Sequence, residues 1–452
     1  MSHTIVVDLG YGDAGKGRVV DLLCAGSDVT AVVRFNGGAQ AAHNVVLPDG
    51  RHHTFAQFGS GTFRGVPTHL SRFVVIDPLA LAAEAAHLAA LGVPSPFELL
   101  TIEEGALLAT PWHRAANQAR ERRRGADRHG SCGLGVGETV GYALAHPDAP
   151  RVGDVRDPVR LRQRLAAVHD RLTASVGPLQ APDLDDVVRV FTAFGDVVRI
   201  VDSRHLDGLL RAGPCVFEGA QGVLLDEWFG WHPHTTWSTT TFSNAQALLG
   251  SAPARRLGVV RTYTTRHGAG PFVTADPALD ALPEPHNGAG EWQGTFRRGH
   301  FDAVAHRYAV EVCGGVDALA VTHLDAPALV PSLGLCTSYD TGAGRTSRIP
   351  IGRRGDLPGQ ERLTTILRAT TPAEVHRPDD WAGAIGDLLG APVVLGTDAP
   401  SGPAALRSGP PHSGAARRTP ERPAAPRSRA PGGRRGPHRR RRAAERCAAI
   451  GE

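Results

Sequence analysis

Residues 4–17 read Thr4-Ile-Val-Val-Asp-Leu-Gly-Tyr-Gly-Asp-Ala-Gly-Lys-Gly17, a short β-branched run that ends in a glycine-rich loop. Residues 18–24 follow with apolar spacing compatible with a helix, so the segment predicts a strand, a loop and a helix in succession. The alternative is a turn with a purely structural role. Successive glycines let backbone N–H groups converge on phosphate oxygens, and the helix N-terminus adds its dipole. The segment therefore predicts a phosphate-binding loop after the first strand.

Three side chains in and near this loop carry candidate chemistry. Lys16 is the only lysine among 49 basic residues, and a compact ammonium suits a phosphate cradle. Asp13 places a carboxylate beside the predicted phosphates, which favours magnesium binding, general-base chemistry or both. His43 follows a second predicted strand and a Gly-Gly turn, at the same predicted sheet edge; a bystander role is the alternative in a chain with 21 histidines. Gly17 stands where a Walker A sequence has Ser or Thr for magnesium.

The rest of the chain alternates short apolar runs with helical stretches up to residue 398. This alternation predicts an α/β fold, a single large domain with a central, mostly parallel sheet. Further strands are expected at residues 30–35, 72–76, 197–201, 214–217, 257–260, 318–321 and 392–395. Asp77 as N-cap and Pro78 at the first helical position predict a helix that continues to Leu91 and stops at Gly92.

Residues 399–452 are rich in Pro, Arg, Ala, Gly and Ser, and this composition predicts a disordered tail. Residues 401–452 hold 13 arginines and 3 glutamates, whereas residues 1–400 hold 36 basic and 42 acidic residues. The net charge of +4 therefore comes from the tail. We do not expect nucleic-acid binding from the acidic body. For the tail, electrostatic binding of nucleic acid is the alternative to an unselected appendage.

Composition also indicates where the protein is located in the cell and how its cysteines are used. No apolar run approaches the roughly 18 residues of a membrane span, and the N-terminus lacks the features of a signal peptide. We therefore expect a cytoplasmic protein without a membrane partner. The six cysteines are scattered without CxxC or Cys/His spacing, so neither a disulfide framework nor a structural metal is indicated.

Long motifs follow one another in the order typical of one enzyme family. They are Gly12-Asp-Ala-Gly-Lys-Gly17, Val32-Val-Arg-Phe-x-Gly-Gly-x4-His43, Phe217-Glu-Gly-Ala-Gln-Gly222, Tyr263-Thr-Thr-Arg-His-Gly-Ala-Gly-Pro-Phe272 and Thr322-His-Leu-Asp325. With these motifs the chain resembles the adenylosuccinate synthetases over residues 4 to about 398. The resemblance implies that family's single α/β domain and a homodimer.

The resemblance also implies a reaction. In the family, GTP phosphorylates the 6-oxygen of inosine monophosphate, and the amine of aspartate then displaces the phosphate. Asp13 matches the catalytic base and a magnesium ligand, His43 matches the acid, and Lys16 matches a phosphate contact. The carbonyl of Ala42 matches a further magnesium ligand. The implied co-substrate is GTP and the implied cofactor is Mg²⁺.

Binding positions carry over residue by residue. Those implied for the nucleotide are Gly12, Gly15, Lys16, Gly17, Arg297, His323, Asp325 and Thr397. Those implied for the purine and the amino acid are Gln40, Ser131, Cys132, Gln221, Thr236 and Thr295. Asp325 matches the carboxylate that accepts hydrogen bonds from guanine, which is why GTP rather than ATP is expected.

Several family features are altered, and all concern substrate recognition. Alanine stands at position 14 where the family has glutamate, and Ser131 and Cys132 replace a pair of threonines. No arginine occurs in residues 146–150, where the family supplies a phosphate-binding arginine to the partner subunit. Thr295 replaces the first arginine of the aspartate-binding loop, and one bidentate arginine contact is worth roughly 1.5–3 kcal/mol. The acceptor and the amine donor are therefore open.

Four interpretations follow. The chain is the ordinary enzyme with unusual contacts, a ligase of specialised metabolism that acts on a purine analogue with another amine, or a catalytically silent nucleotide-binding paralogue. The fourth, an unrelated P-loop GTPase, is disfavoured because Gly17 replaces Ser/Thr and no second lysine exists for an Asn-Lys-x-Asp motif.

Overall fold

The computed structural model describes residues 2–398 and 404–406. Within these residues the strands are β1 (His3–Asp8), β2 (Ala31–Arg34), β3 (His43–Val46), β4 (His52–Phe55), β5 (Thr68–Leu70), β6 (Val75–Ile76), β7 (Leu100–Glu103), β8 (Leu107–Leu108), β9 (Arg199–Val201), β10 (Cys215–Gly222), β11 (Ala254–Arg261), β12 (Thr264–His267), β13 (Phe296–Gly299), β14 (Phe301–Asp302), β15 (Ala318–Thr322), β16 (Leu335–Asp340), β17 (Arg345–Thr346), β18 (Thr371–His376), β19 (Val393–Thr397) and β20 (Ala404–Leu406). The α-helices are α1 (Lys16–Gly26), α2 (Pro78–Ala90), α3 (Pro111–Arg124), α4 (Val136–Ala145), α5 (Pro158–Val176), α6 (Leu184–Val197), α7 (Arg204–Ala212), α8 (Ser243–Leu249), α9 (Ala303–Val312), α10 (Ala326–Leu329), α11 (Leu357–Arg368) and α12 (Trp381–Leu389).

In the described residues the central sheet has ten strands, in the order β20-β19-β15-β11-β1-β10-β2-β5-β7-β9. All neighbours run parallel except β19 and β20, which are antiparallel. The predicted α/β fold with a mostly parallel sheet is confirmed. Strand β1 lies inside the sheet between β10 and β11, so the glycine-rich loop leaves from the carboxyl edge, where ligands of open α/β sheets bind.

Strand β1 is buried on both faces because helices cover both sides of a parallel sheet. Ile5 and Val7 belong to the largest apolar cluster, whereas Val6 packs in a separate cluster with Val19 and Val20 of α1. All five side chains are at most 1% exposed. The uninterrupted apolar run at residues 5–7 therefore anchors both faces of the sheet.

Helix α2 starts as its sequence predicts. The Asp77 carboxylate accepts hydrogen bonds from the backbone amides of Leu79 and Ala80, and Pro78 occupies the first helical turn. The helix ends at Ala90, and Gly92 has a left-handed φ of 88°.

Three expectations about elements need correction. Residues 72–76 were expected to form a strand of the central sheet, but the strand at that place in the sheet is Thr68–Leu70. Of the expected segment, only Val75–Ile76 is a strand, and it pairs with β8 outside the central sheet. The segment 197–201 is divided, because α6 continues through Val197 before β9 begins. Residues 404–406 of the predicted disordered tail form β20, which satisfies backbone groups along the edge of β19. The remainder of that predicted tail, like Cys447, lies outside the described residues.

No helix in the described part of the chain is long and apolar enough to cross a membrane. The five cysteines at described positions are free thiols.

Two buried histidines predict acid sensitivity. Burial lowers the pKa of His69 and of His113 to about 3, and repulsion from His205 contributes for His69. In the unfolded chain the pKa of a histidine is about 6.5. Between about pH 3 and about pH 6.5 the unfolded chain therefore binds more protons than the folded chain. The free energy of unfolding should fall by about 1.4 kcal/mol per pH unit for each histidine as the pH drops below about 6. Urea unfolding at several pH values measures this slope.

The variant His113→Gln removes one of these groups and should flatten the slope. The exposed His376 provides the matched control, since His376→Gln should leave the slope at its original value. Equal slopes in H113Q and in the unmodified protein would contradict the assignment.

Candidate active site

A buried carboxylate organises the glycine-rich loop from within. Asp8, the last residue of β1, accepts hydrogen bonds from the backbone amides of Gly10 (2.8 Å), Gly12 (3.3 Å) and Ala14 (2.8 Å). Its Oδ2 also lies 3.1 Å from Nζ of Lys16, which donates a second hydrogen bond to the Gly12 carbonyl at 2.6 Å. Both charged side chains are at most 1% exposed. The loop is therefore folded around its own anion and cation.

Glycine is required in this loop for conformation and for space. Gly12 and Gly15 have φ values of 115° and 92°, in the left-handed region. A Cβ on Gly17 would lie 3.0 Å from the backbone of His43 and Asn44. Gly17 thus lets α1 approach β3 closely, and this contact explains why the loop lacks the Ser or Thr of a Walker A motif.

His43 is held by a carboxylate from the central sheet. Its Nδ1 lies 2.6 Å from Oε1 of Glu218 on β10, and Glu218 also accepts hydrogen bonds from the amide and hydroxyl of Ser60. Burial disfavours the charged Glu218, but Arg34 and His43 outweigh it and lower the pKa of Glu218 to about 2. Burial lowers the pKa of His43 to about 4, although Glu218 opposes that shift. The neutral ring donates from Nδ1 to Glu218, which leaves Nε2 for a ligand.

Asp13 projects from the loop into the same cavity as His43. Burial raises the pKa of Asp13 above its usual value, while His267, Arg261 and Lys16 favour the charged form. His267 Nε2 lies 3.6 Å from the Asp13 carboxylate, whose side chain is 21% exposed. A carboxylate with a raised pKa and access to the cavity is suited to accept a proton.

The cavity has a volume of about 620 Å³. The predicted site residues that line it are Gly12, Asp13, Gln40, Ala42, His43, Ser131, Cys132, Gln221 and Thr236. Among described residues, both amide atoms of Gln40 and Oε1 of Gln221 are buried without a hydrogen-bond partner. Gln221 also has a φ of 56°, which is strained for a residue with a side chain. Unpaired polar atoms and backbone strain indicate that the part of the cavity lined by Gln40 and Gln221 is a binding surface.

The other predicted site residues lie outside the cavity lining; they are Gly15, Lys16, Gly17, Thr295, Arg297, His323, Asp325 and Thr397. His323 and Asp325 follow β15, and Thr397 ends β19, its neighbour in the sheet. The amide of Leu324 donates to the Thr397 carbonyl at 3.0 Å, so this group shares one edge of the sheet. The Thr397 hydroxyl is buried and has no partner among described residues.

Three of the carried-over residues make contacts within the chain. Lys16 is paired with Asp8 and lies off the cavity. Arg297 donates to the carbonyls of Gly268 (2.6 Å) and Gly270, so its guanidinium stabilises a loop. Thr295 is exposed, and its carbonyl accepts from the Gly268 amide. Arg297, implied for the nucleotide, is thus engaged with backbone carbonyls, and Thr295 stands where the aspartate-binding loop has its first arginine.

Sequence reasoning missed two residues that organise the site. Asp8 was assigned only to the strand, although a carboxylate at the end of a β-branched run directly before a glycine-rich loop was a usable signal. Glu218 lies within one of the quoted motifs, and no role was predicted for it. Its partner His43 is 175 positions away, and no spacing rule links them.

An acid-base pair of side chains beside a glycine-rich loop, at the carboxyl edge of a parallel sheet, defines an enzyme that handles nucleotide phosphates. The family model for adenylosuccinate synthetase matches residues 5–360. The adenylosuccinate synthetase of Frankia alni is 35% identical over 419 residues, which cover 87% of this chain and 96% of the relative. That of Neisseria gonorrhoeae is 31% identical over 428 residues, which cover 88% and 96%. The chain belongs to the adenylosuccinate synthetase family and is a GTP-dependent ligase.

Two solved structures share the fold at 21% identity. Fully ligated adenylosuccinate synthetase from Plasmodium falciparum has a TM-score of 0.78 and covers 90% of this chain and 100% of its own. The succinoaminodeoxyadenylate synthetase of cyanophage S-2L, bound to dGMP and dATP, has a TM-score of 0.53 and covers 80% and 99%.

The Asp8–Lys16 pair predicts a stability effect. Asp8→Asn leaves the Lys16 ammonium buried without a counter-charge, which typically costs about 3 kcal/mol or more. We expect that loss in the free energy of unfolding, measured by urea denaturation near neutral pH.

The same substitution at an exposed ion pair is the control. Asp49 pairs with Arg51 at the surface, so Asp49→Asn should leave the urea midpoint unchanged. A D8N protein as stable as the unmodified one would contradict the assigned role of Asp8.

Proposed function

We propose that the enzyme transfers the γ-phosphoryl group of GTP to the 6-oxygen of a purine and then replaces that phosphate with an amine. Inosine monophosphate and aspartate are the reference substrates that the family implies. The observation that carries this proposal is the joint exposure of Asp13 and His43 to one cavity beside the glycine-rich loop.

Asp13 is assigned the first proton transfer. As it accepts the N1 proton of the purine, the 6-oxygen becomes nucleophilic and bonds to the γ-phosphorus, while the bond to the β-phosphate oxygen breaks and GDP leaves. The raised pKa of Asp13 increases its basicity toward this weak acid. The amine then bonds to carbon 6, the carbon–oxygen bond breaks with its electron pair on phosphate, and the amine loses a proton to solvent.

His43 is assigned the stabilisation of charge on the transferred group. With Nδ1 committed to Glu218, Nε2 is the ring nitrogen that can face phosphoryl oxygens. The nearby Glu218 carboxylate favours the protonated ring, and bound phosphate adds to that effect. His43 therefore takes a proton from solvent as negative charge develops on the phosphoryl group, and Glu218 orients the ring.

Asp13 and Ala42 are the proposed ligands of a magnesium ion. The Asp13 carboxylate and the Ala42 carbonyl both border the cavity, and both supply the hard oxygen ligands that Mg²⁺ prefers. When bound, the ion would neutralise charge on the phosphates of GTP. Around it, Gln40 and Gln221 supply uncharged hydrogen-bonding groups that can orient the purine.

The remaining implications of the family stay predictions for this chain. They are aspartate as the amine donor, GTP contacts at Asp325, a homodimer and a cytoplasmic location. The second candidate function, a ligase for a purine analogue and another amine, is favoured by one observation. Thr295, which replaces the first arginine of the aspartate-binding loop, offers no charge to a second carboxylate.

The decisive measurement is magnesium-dependent release of GDP and phosphate from GTP, with inosine monophosphate and aspartate each present or omitted. We expect release that requires both substrates. Asp13→Asn should reduce kcat by roughly 100-fold or more, because the proton acceptor is lost.

The exposed Asp28 supplies the matched control, and Asp28→Asn should retain full activity. Turnover with another amine but not with aspartate would favour the analogue ligase. GTP binding without release in any combination would favour the catalytically silent paralogue and overturn the proposal.

A further inference from the structure

A second histidine, His267, borders the cavity beside Asp13. It is the last residue of β12, and its Nε2 lies 3.6 Å from Oδ2 of Asp13. Both residues line the same cavity, and their side chains are 24% and 21% exposed. His267 is therefore placed where it can act on the carboxylate that is assigned the first proton transfer.

The pairing of β12 with β13 fixes the position of the His267 ring. His267 is paired with Phe296 across the two strands, and the centroids of the two rings are 4.7 Å apart. The preceding Arg266 is 1% exposed and donates to the carbonyls of Ala269 and Pro271, which holds the turn that follows β12. The ring is thus presented by a strand end whose neighbours are themselves held in place.

His267 is the ion-pair partner of Asp13 in the described residues. Lys16 and Arg261 also favour the charged form of Asp13, but each of these cations is bound to a carboxylate of its own. The contact with His267 is therefore the one that can fix the orientation of the Asp13 carboxylate.

Two features of the surroundings place a proton on Nε2 of His267. An ionised carboxylate only accepts hydrogen bonds, so a bare Nε2 would direct its lone pair at the Asp13 oxygen. Nδ1 is buried and has no partner among the described residues, so a proton on Nδ1 alone would leave a buried donor unsatisfied. The neutral ring protonated at Nε2 and the imidazolium both present an N–H group to Asp13. The contact therefore does not depend on the charge of the ring.

The separation of 3.6 Å is longer than a hydrogen bond between these atoms, which is typically about 3 Å. The χ2 torsions of aspartate and histidine have broad energy wells, so a small rotation of either side chain costs little. Such a rotation brings Nε2 of His267 within hydrogen-bond distance of Asp13 while the backbone stays in place.

We propose that His267 is a positioning residue for Asp13, in which Nε2–H binds Oδ2 and leaves Oδ1 to accept the N1 proton of the purine. The inference rests on the proposed function, because it concerns the same proton transfer. His267 itself transfers no proton. Oδ2 keeps a lone pair for magnesium, since an ionised carboxylate has about four acceptor positions. Without the hydrogen bond the carboxylate would rotate more freely, and fewer of its orientations would aim Oδ1 at N1.

Two amide variants test the hydrogen bond through kcat, with GTP, inosine monophosphate and aspartate as substrates. The amide nitrogen of His267→Gln can reach the place of Nε2, whereas the shorter side chain of His267→Asn reaches only the place of Nδ1. We expect His267→Asn to reduce kcat by about tenfold, and His267→Gln to stay within about threefold of the unmodified protein. The KM for GTP should be unchanged in both variants. His376 is exposed on β18, so His376→Asn is the matched control and should retain full activity.

The difference between the two amide variants decides the inference. Equal losses of kcat in H267N and H267Q would overturn it. A raised KM for the purine at unchanged kcat would assign His267 a contact with the substrate and would overturn the positioning role as well. The urea midpoints of both variants should match that of the unmodified protein, because the side chain is partly exposed.

NMR of the histidine rings tests the contact without turnover and so separates it from the proposed function. In protein with ¹⁵N-labelled histidines, the signals of His267 are those that are absent from H267Q. We expect them to show a proton on Nε2 and to shift in Asp13→Ala, because the acceptor is lost. A bare Nε2, or signals that are unchanged in D13A, would overturn the inference even in an active enzyme. The expected signals in a protein that releases no GDP would support the contact and contradict the proposed function.

Discussion

The buried Asp8–Lys16 interaction is the constraint on which the site depends. A carboxylate at the end of the central strand gathers three loop amides and the Lys16 ammonium, and this fixes where α1 begins. Helix α1 then packs against β3 through Gly17, which sets the position of His43. Glu218 connects His43 back to the central sheet, because it binds His43 and belongs to β10, which pairs with β1. The two residues assigned to catalysis are therefore positioned by one strand pair.

Backbone strain is concentrated at the same edge of the sheet. Among described residues, three non-glycine residues have positive φ, and Gln221 and His323 are the two that follow or end central strands. Gln221 faces the cavity, whereas His323 is buried and pairs with Arg261, which also binds Glu284. Such conformations cost of order 1–3 kcal/mol and persist where surrounding contacts over-determine them. At His323 these contacts come from Arg261 and its partner Glu284. At Gln221 the side-chain oxygen has no partner among the described residues and can accept a hydrogen bond from a ligand.

Sequence patterns predicted the parts of this molecule that local physics determines. The apolar run of β1, the Asp77 cap and the glycine-rich loop each depend on neighbours in the chain, and each has a local signature. Contacts between distant segments have no such signature. The pairing of His43 with Glu218 and the turn of Arg297 toward the carbonyls of Gly268 and Gly270 arise from tertiary packing. The strand at residues 68–70 was missed because the more apolar segment 72–76 lies beside it.

Charged side chains lie on two sides of the cavity. On the loop side, the N-terminus of α1 presents the positive end of its dipole, which suits nucleotide phosphates, whereas Lys16 is paired with Asp8. On the side of the cavity formed by α3, α4 and α5, each arginine has an acidic partner. The pairs are Arg120 with Glu138, Arg124 with Glu121, and Arg171 with Asp148. In both places the cations are paired within the chain, whereas the side-chain amides of Gln40 and Gln221 include buried atoms without a partner among the described residues.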